Sequence, residues 1–218
     1  MSDAAAHMDA IYRLQRHIYD ITRKPYLLGR DQLIRELDVP HGGSVIEIGC
    51  GTARNLLEIA NVYPSASCHG IDVSKLMLDK ARQSIAAAGM EKRVTVAFAD
   101  ATEFDPLQLF GRKQFDRVVI SYALSMIPQW ECVLRSSVTL LRPEGSLHIV
   151  DFGAQMGLPR WFRAALFGWL AGFSVHPRLD LGERVSCIAG EAGREAQFAP
   201  IRRGYAALAT IGPIDKPA

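Results

Sequence analysis

The chain has 218 residues, 49% of them hydrophobic, with a formal net charge of +2 and four scattered cysteines. That is enough chain and enough apolar surface for one domain with a full core. The near-neutral charge lacks the basic stripe of a nucleic-acid binder. Cys50, Cys68, Cys132 and Cys187 contain no C-x-x-C pair, which argues against a metal centre or disulfide framework and for a reducing cytoplasm.

The first ten residues, MSDAAAHMDA, have neither the basic nor the apolar region of a secretory signal, and residues 1–7 read as disordered. From Met8 to about Thr22, apolar residues fall at Met8, Ile11, Tyr12, Leu14, Ile18 and Tyr19, a helical period. Pro25 interrupts it, and a second helix is expected over about Gly29–Leu37, ending before Pro40. Strands and helices then alternate. Ser44–Ile48, Ser67–Asp72, Val94–Ala99, Phe115–Ser121 and Gly145–Asp151 read as strands. Arg54–Val62, Lys75–Ala88 and Trp130–Leu141 read as helices, the last ending at Arg142-Pro143, with a helical turn after the third strand. Such alternation implies parallel βαβ units and a doubly wound α/β sheet with helices on both faces. Phe198–Ile211 reads as two more strands flanking Arg202-Arg203-Gly204, making seven. Residues 180–196 are polar and contain glycine, which leaves open whether they form a loop. The most apolar run, Ala164–Val175, is 12 residues, short of the roughly 20 a spanning helix needs.

The first strand runs into Gly49-Cys50-Gly51-Thr52-Ala53-Arg54-Asn55. Glycines there let the chain turn sharply and bring its backbone close to a ligand. A strict G-x-G-x-x-G would need glycine where Arg54 stands, so the pattern E-x-G-x-G from Glu47 suits a ligand without phosphates. Asp72 ends the second strand, 23 residues beyond Gly49, placed to accept from ribose hydroxyls. Asp100 ends the third, where an acid can accept from an adenine amino group while the Ala101 N–H serves a ring nitrogen. A side chain at Gly49 is expected to fill space that the ligand needs while leaving the protein folded.

This ordered set, over roughly residues 44–152, resembles the cofactor site of class I S-adenosylmethionine (SAM)-dependent methyltransferases. The resemblance implies a Rossmann-like, mostly parallel seven-stranded sheet. It implies SAM contacts from Tyr26, Arg30, Glu47, Gly49, Cys50, Gly51, Thr52, Asn55, Asp72, Val73, Met77, Asp100, Ala101 and Ser121. Ala53 departs from it, because the family often has a third glycine there; cofactor binding is expected to survive. Residues 1–40 are expected to form a helical lid and substrate segment. Residues 41–218 are the expected SAM-binding core, with an apolar insertion at about 156–178.

Two segments outside that pattern bear on the acceptor. In the first, Ile18–Asp31, the Arg30 guanidinium is a candidate to fork onto the cofactor's carboxylate, with Tyr19 and Tyr26 in the lid or acceptor pocket. The second is Leu158–Arg178. On a helix, Trp161, Phe162, Ala165, Leu166, Trp169, Leu170 and Phe173 share one broad face, with Arg160 and Arg163 at one end and His176 and Arg178 at the other. Aromatics with flanking cations suit an anionic membrane surface; a core helix or dimer contact would carry the same pattern. Together with Ser121–Pro128 and Arg202–Gly212, the Tyr19–Asp31 stretch resembles the bacterial betaine-lipid N-methyltransferases, which methylate diacylglyceryl homoserine. Pro25 departs from it. The resemblance implies a cytoplasmic, peripherally membrane-associated enzyme acting on a lipid amine. Tyr122, Tyr19 and Tyr205 would be aromatic faces for the developing ammonium, and Asp151 a nearby anion. His148 reads as structural. Alternative acceptors are phosphatidylethanolamine, a quinone or another small amphiphile; a SAM-binding subunit without catalysis is the alternative of another class.

Overall fold

The computed structural model describes residues 27–214. The expected helix over Met8–Thr22, residues 1–26 of the expected lid, Tyr19 and Tyr26 lie outside them. Within them the elements are α1 (Arg30–Arg35), β1 (Ser44–Ile48), α2 (Arg54–Val62), β2 (Ser67–Asp72), α3 (Lys75–Ala87), β3 (Val94–Phe98), α4 (Pro106–Phe110) and β4 (Phe115–Ser121). A 3₁₀ turn (Leu124–Met126) follows, then α5 (Trp130–Thr139), β5 (Leu141–Phe152), α6 (Arg160–Ala171), α7 (Leu181–Glu191), β6 (Arg194–Ile201) and β7 (Ala206–Ile214).

The seven strands form one sheet in the order β3-β2-β1-β4-β5-β7-β6. The first five named are parallel; β7 runs antiparallel to both β5 and β6. All five residues of β1 are buried, as expected of a central parallel strand covered on both faces. One face carries α1, α2 and α3 through Leu33, Ile34, Leu56, Ile59, Leu78 and Ile85. The other carries α5 and α7 through Val133, Leu134, Val138, Leu181, Val185 and Ile188. The order reverses between β1 and β4, whose carboxyl ends open a crevice, the ligand position of an open α/β sheet.

Local chemistry explains the starts and stops. The Ser74 Oγ accepts from the Met77 N–H at 3.3 Å and caps α3. Asp105 caps α4 by accepting from Leu107 N–H at 2.8 Å, with Pro106 at the first helical position. Helix α1 is shorter than predicted and begins after Gly29, held at φ 88°. Its end is fastened to the sheet: Arg117 on β4 donates from Nε to the Leu37 carbonyl at 2.6 Å, and from a second nitrogen to the Asp38 carbonyl.

Two further expectations differ, and one open question closes. Helix α5 ends at Thr139, and Pro143 falls inside β5 rather than after a helix. The β4–β5 pairing skips from Leu141 to Ser146, so Pro143 sits where no ladder bond is required. Residues 181–191 form helix α7. Its buried residues Leu181, Val185, Ile188 and Ala189 lie on one helical face, and Arg135 pairs with Glu191 to tie it to α5. The broad aromatic face expected over 158–178 is split. Leu170 is buried and Phe162, Leu166 and Phe173 pack on the core. Trp161 and Trp169 point outward at 73% and 44% exposure.

Candidate cofactor and acceptor site

The turn after β1 builds the floor of the site. The Gly49 and Cys50 N–H groups both donate to the Ile71 carbonyl at 2.9 Å, pinning the turn to β2. Gly49, Gly51 and Ala53 all take positive φ, at 74°, 54° and 63°. A Cβ on Gly49 would lie 2.8 Å from the Ala123 Cβ, whereas one on Gly51 would meet nothing within 4 Å. The open side of the loop is therefore at Gly51. A side chain at Gly49 strains the β1–β4 contact itself, which corrects the expectation that it would leave the fold untouched. Ala53 holds a left-handed conformation at the start of α2 that glycine adopts without strain. The frequent family glycine thus answers a backbone requirement as well as close packing.

Two adjoining cavities lie over this turn. The larger, about 480 Å³, is lined by Arg30, Glu47, Gly49, Cys50, Gly51, Thr52, Asn55, Ser121 and Tyr122, with Leu27 and Leu57. The smaller, about 150 Å³, is lined by Asp72, Val73, Asp100, Ala101, Ser121 and Tyr122, and by Met126, Ile127, Pro128 and Gln129. Of the described residues expected at the cofactor, only Met77 lines neither: it is buried against Leu76 and Met126. The Met126–Gln129 wall escaped sequence reading, although its residues fall within or beside the quoted Ser121–Pro128 segment.

Glu47 is fully buried. Its Oε1 accepts from the Asn55 amide at 2.7 Å, and its Oε2 has no partner. Burial pushes its pKa up to about 8, against the Asn55 hydrogen bond and the Arg30 charge, which favour the anion. Asp72 joins the first two turns, accepting from the Gly51 and Ser74 N–H groups at 2.8 Å each. Asp100 accepts from the N–H and hydroxyl of Thr102 at 2.9 and 2.7 Å. Arg30 is half-buried; burial and the neighbouring Arg54 charge hold its pKa below the ordinary arginine value.

The acceptor residues separate. Tyr122, at φ 55° just past β4, donates its hydroxyl to the Leu28 carbonyl at 2.6 Å. Its ring meets Phe152 edge-on at 4.7 Å, and Phe152 meets Tyr205 at 6.2 Å. Tyr122, Phe152 and Tyr205 thus form an aromatic row in the buried cluster to which Leu170 also belongs. Asp151 is 0% exposed and lines neither cavity. Its oxygens accept from the Ser125 N–H at 3.1 Å and the Phe152 N–H at 2.7 Å, and burial pushes its pKa up to about 6. This geometry makes it a clamp between β5 and the 3₁₀ turn, out of reach of an acceptor. His148 is buried against the Ser146 hydroxyl at 2.9 Å.

The donor set suits SAM. A buried unpartnered carboxyl oxygen sits at the larger cavity, open space lies over Gly51, and carboxylates follow β2 and β3. Residues 45–145 match the model of the family described as a methyltransferase domain. This stretch is a SAM-dependent methyltransferase domain. Among relatives, methyltransferase GfsG of Streptomyces halstedii is 31% identical over 121 residues, 56% of this chain and 42% of that protein. A demethylmenaquinone methyltransferase of Bacillus cytotoxicus is 28% identical over 148 residues, 67% of this chain and 56% of that protein. The chain spans about half the length of these curated relatives. Haemonchus contortus phosphoethanolamine N-methyltransferase 2, solved with S-adenosylhomocysteine, superposes with a TM-score of 0.67 at 16% identity. That match covers 85% of this chain and 52% of the other, and carries the fold alone. SAM is the cofactor of such a domain, and the two cavities open at the carboxyl ends of β1, β2, β3 and β4.

Proposed function

We propose that the whole chain transfers the methyl group of SAM to the amino group of a lipid headgroup, diacylglyceryl homoserine being the acceptor most like its resemblance. The observation that carries this reading is α6. One side packs Phe162, Leu166 and Leu170 onto the cluster that holds Tyr122 and Tyr205. The other side presents Trp161 and Trp169 outward, with Arg160 and Arg163 exposed in the first turn. Indole rings with flanking cations suit the headgroup boundary of an anionic bilayer. Among the described residues no helix is long and apolar enough to cross a membrane, so contact would be from one side.

In this reading Glu47, Asp72 and Asp100 hold SAM, and Arg30 takes its carboxylate. Bound SAM supplies an electrophilic methyl group on a sulfonium. The protein's part is to hold a neutral amine in line with it, where orientation supplies most of the rate. Tyr122, which lines both cavities, offers its ring face to the ammonium as charge develops, while Tyr205, expected to do the same, lines neither and stands behind Phe152. With Asp151 clamped away from the cavity, the amine's surplus proton leaves to water.

Label from methyl-labelled SAM should move into an amino lipid when the protein is mixed with membrane lipid extract and the lipids are separated by thin-layer chromatography. Label in the quinone fraction alone would instead favour a quinone acceptor, the reading that the name of the Bacillus relative suggests. No transfer to any extract would favour a SAM-binding subunit. Trp161→Ala with Trp169→Ala should lower methylation of bilayer-embedded acceptor and spare a short-chain soluble one. Each ring that enters the boundary contributes about 1.5–3 kcal/mol. An equal loss on both acceptors would make α6 a wall of the site instead of a membrane contact.

A further inference from the structure

Beside the larger cavity lies a recess of about 400 Å³ with four arginines in its wall: Arg30, Arg35, Arg54 and Arg202. The carboxylate it contains, Asp31, is already paired with Arg54 at 2.6 Å. Arg30 donates to the Leu27 carbonyl at 3.3 Å. Among the described residues neither Arg30, Arg35 nor Arg202 has an ion-pair partner. Among the described residues the recess therefore carries an excess of positive charge, four arginines against Asp31. It shares Leu27, Arg30 and Arg54 with the larger cavity, so an anion held there adjoins that cavity.

The arginines come from separate elements. Arg30 and Arg35 sit on α1, Arg54 opens α2, and Arg202 stands in the turn between β6 and β7. That turn holds Arg202 at φ 51° and Arg203 at φ 60°, a left-handed conformation costly for side chains other than glycine. Clustered like charges oppose folding, and the exposed Arg35 and Arg202 side chains supply no core packing that would offset it.

We propose that this recess binds the anionic group of the methyl acceptor, a carboxylate or a phosphate attached close to the reacting amine. The proposal rests on the lipid-amine reading and narrows it to acidic headgroups. A guanidinium fork matches either anion bidentately, and several together discriminate against a neutral headgroup. Arg30 belongs to both spaces. Arg35 and Arg202 belong only to the recess, so they separate acceptor recognition from cofactor binding.

The test uses the full chain saturated with S-adenosylhomocysteine and titrated calorimetrically with inorganic phosphate, then with acetate, at low ionic strength. The wild type should bind at least one of the two, and added salt should weaken it. Arg35→Ala with Arg202→Ala should weaken binding of that anion by about tenfold or more. Arg35→Lys with Arg202→Lys should retain part of it, because the point charges remain. S-adenosylhomocysteine affinity should be alike in all three proteins. Preference for acetate assigns a carboxylate headgroup, and preference for phosphate a phosphate one. Anion affinity unchanged in the alanine pair, no anion binding by the wild type, or parallel loss of S-adenosylhomocysteine affinity overturns the proposal. The lipid-extract assay separates the two readings. If the alanine pair loses anion binding and no lipid is methylated, the recess stands and the lipid acceptor falls. If amino lipids are methylated with the same KM by wild type and alanine pair, the lipid reading stands and the recess falls.

Discussion

The cavity over the glycine turn and the arginine recess meet at Arg30 and Arg54 but are built of different material. Around Gly49–Asn55 the site consists of backbone: three residues at positive φ, paired N–H groups on the Ile71 carbonyl, and a carboxylate joining two turns. Across the shared wall the recess consists of long cations on α1, at the start of α2 and in the β6–β7 turn. Recognition by backbone is fixed once the strands pair. Recognition by long side chains depends on elements far apart in sequence converging. The first kind therefore tolerates almost no substitution, while the second can change acceptor without disturbing the fold.

That contrast is sharpest at the glycines. Gly51→Val places a branched side chain in the open space over the loop and should remove SAM affinity by about 3 kcal/mol or more. Gly49→Val strikes Ala123, so its main loss should be in Tm. Calorimetry beside thermal melts separates them; equal loss of affinity at equal Tm would mean that both glycines face the cofactor. Asp72→Ala should weaken SAM binding by about 1–3 kcal/mol, because ribose hydroxyls lose a charged acceptor. Unchanged affinity in a folded variant would remove Asp72 from the cofactor site.

The buried Glu47 gives the cofactor side a pH signature. A carboxyl whose folded pKa lies above its unfolded value keeps its proton longer in the native state, so stability falls as pH rises between the two values. Asp151 does the same only up to about 6. The buried His69 and His148, whose pKa values burial lowers to about 4, act in the opposite sense below their ordinary value of 6.5. From pH 6.5 to 8 the decline belongs to Glu47 and should reach about 2 kcal/mol in cofactor-free protein. Denaturant melts of Glu47→Gln should be nearly flat across that window, and a slope as steep as wild type would assign it elsewhere. The smallest effect should come from Ala53→Gly. Relief of the left-handed conformation should offset the added freedom of glycine and raise stability by about 1 kcal/mol. A lower Tm would mean that the Ala53 methyl packs better than its backbone suffers.

The cofactor half was legible in the sequence because its signals are local. The ends of β1, α2, β2 and β4 fall where the apolar runs and the glycine turn place them. Helix α7 was legible but went unread: Leu181, Val185, Ile188 and Ala189 fall at i, i+4, i+7 and i+8, with Glu183, Arg184 and Ser186 on the other face. The split face of α6 was not legible: periodicity groups Trp161 with Phe162, and only packing decides which edge meets the core. Arg35 and Arg202 come from opposite ends of the chain, so no spacing could announce that they share a recess. Met77 has a suitable place in the chain, but the Ser74 cap turns it into the packing of α3.

The bond from Arg117 to the Leu37 and Asp38 carbonyls links residues 80 and 79 positions apart. Closing so long a loop costs entropy that is recovered only after β1 and β4 lie side by side. Helix α1, too short to persist alone, is thus held in place by the buried Leu33, Ile34 and Leu37 and by Arg117 only once the sheet has formed. The recess arginines Arg30 and Arg35 travel with it. The position of half the recess is thereby set by the pairing of two strands that lie far from it in sequence.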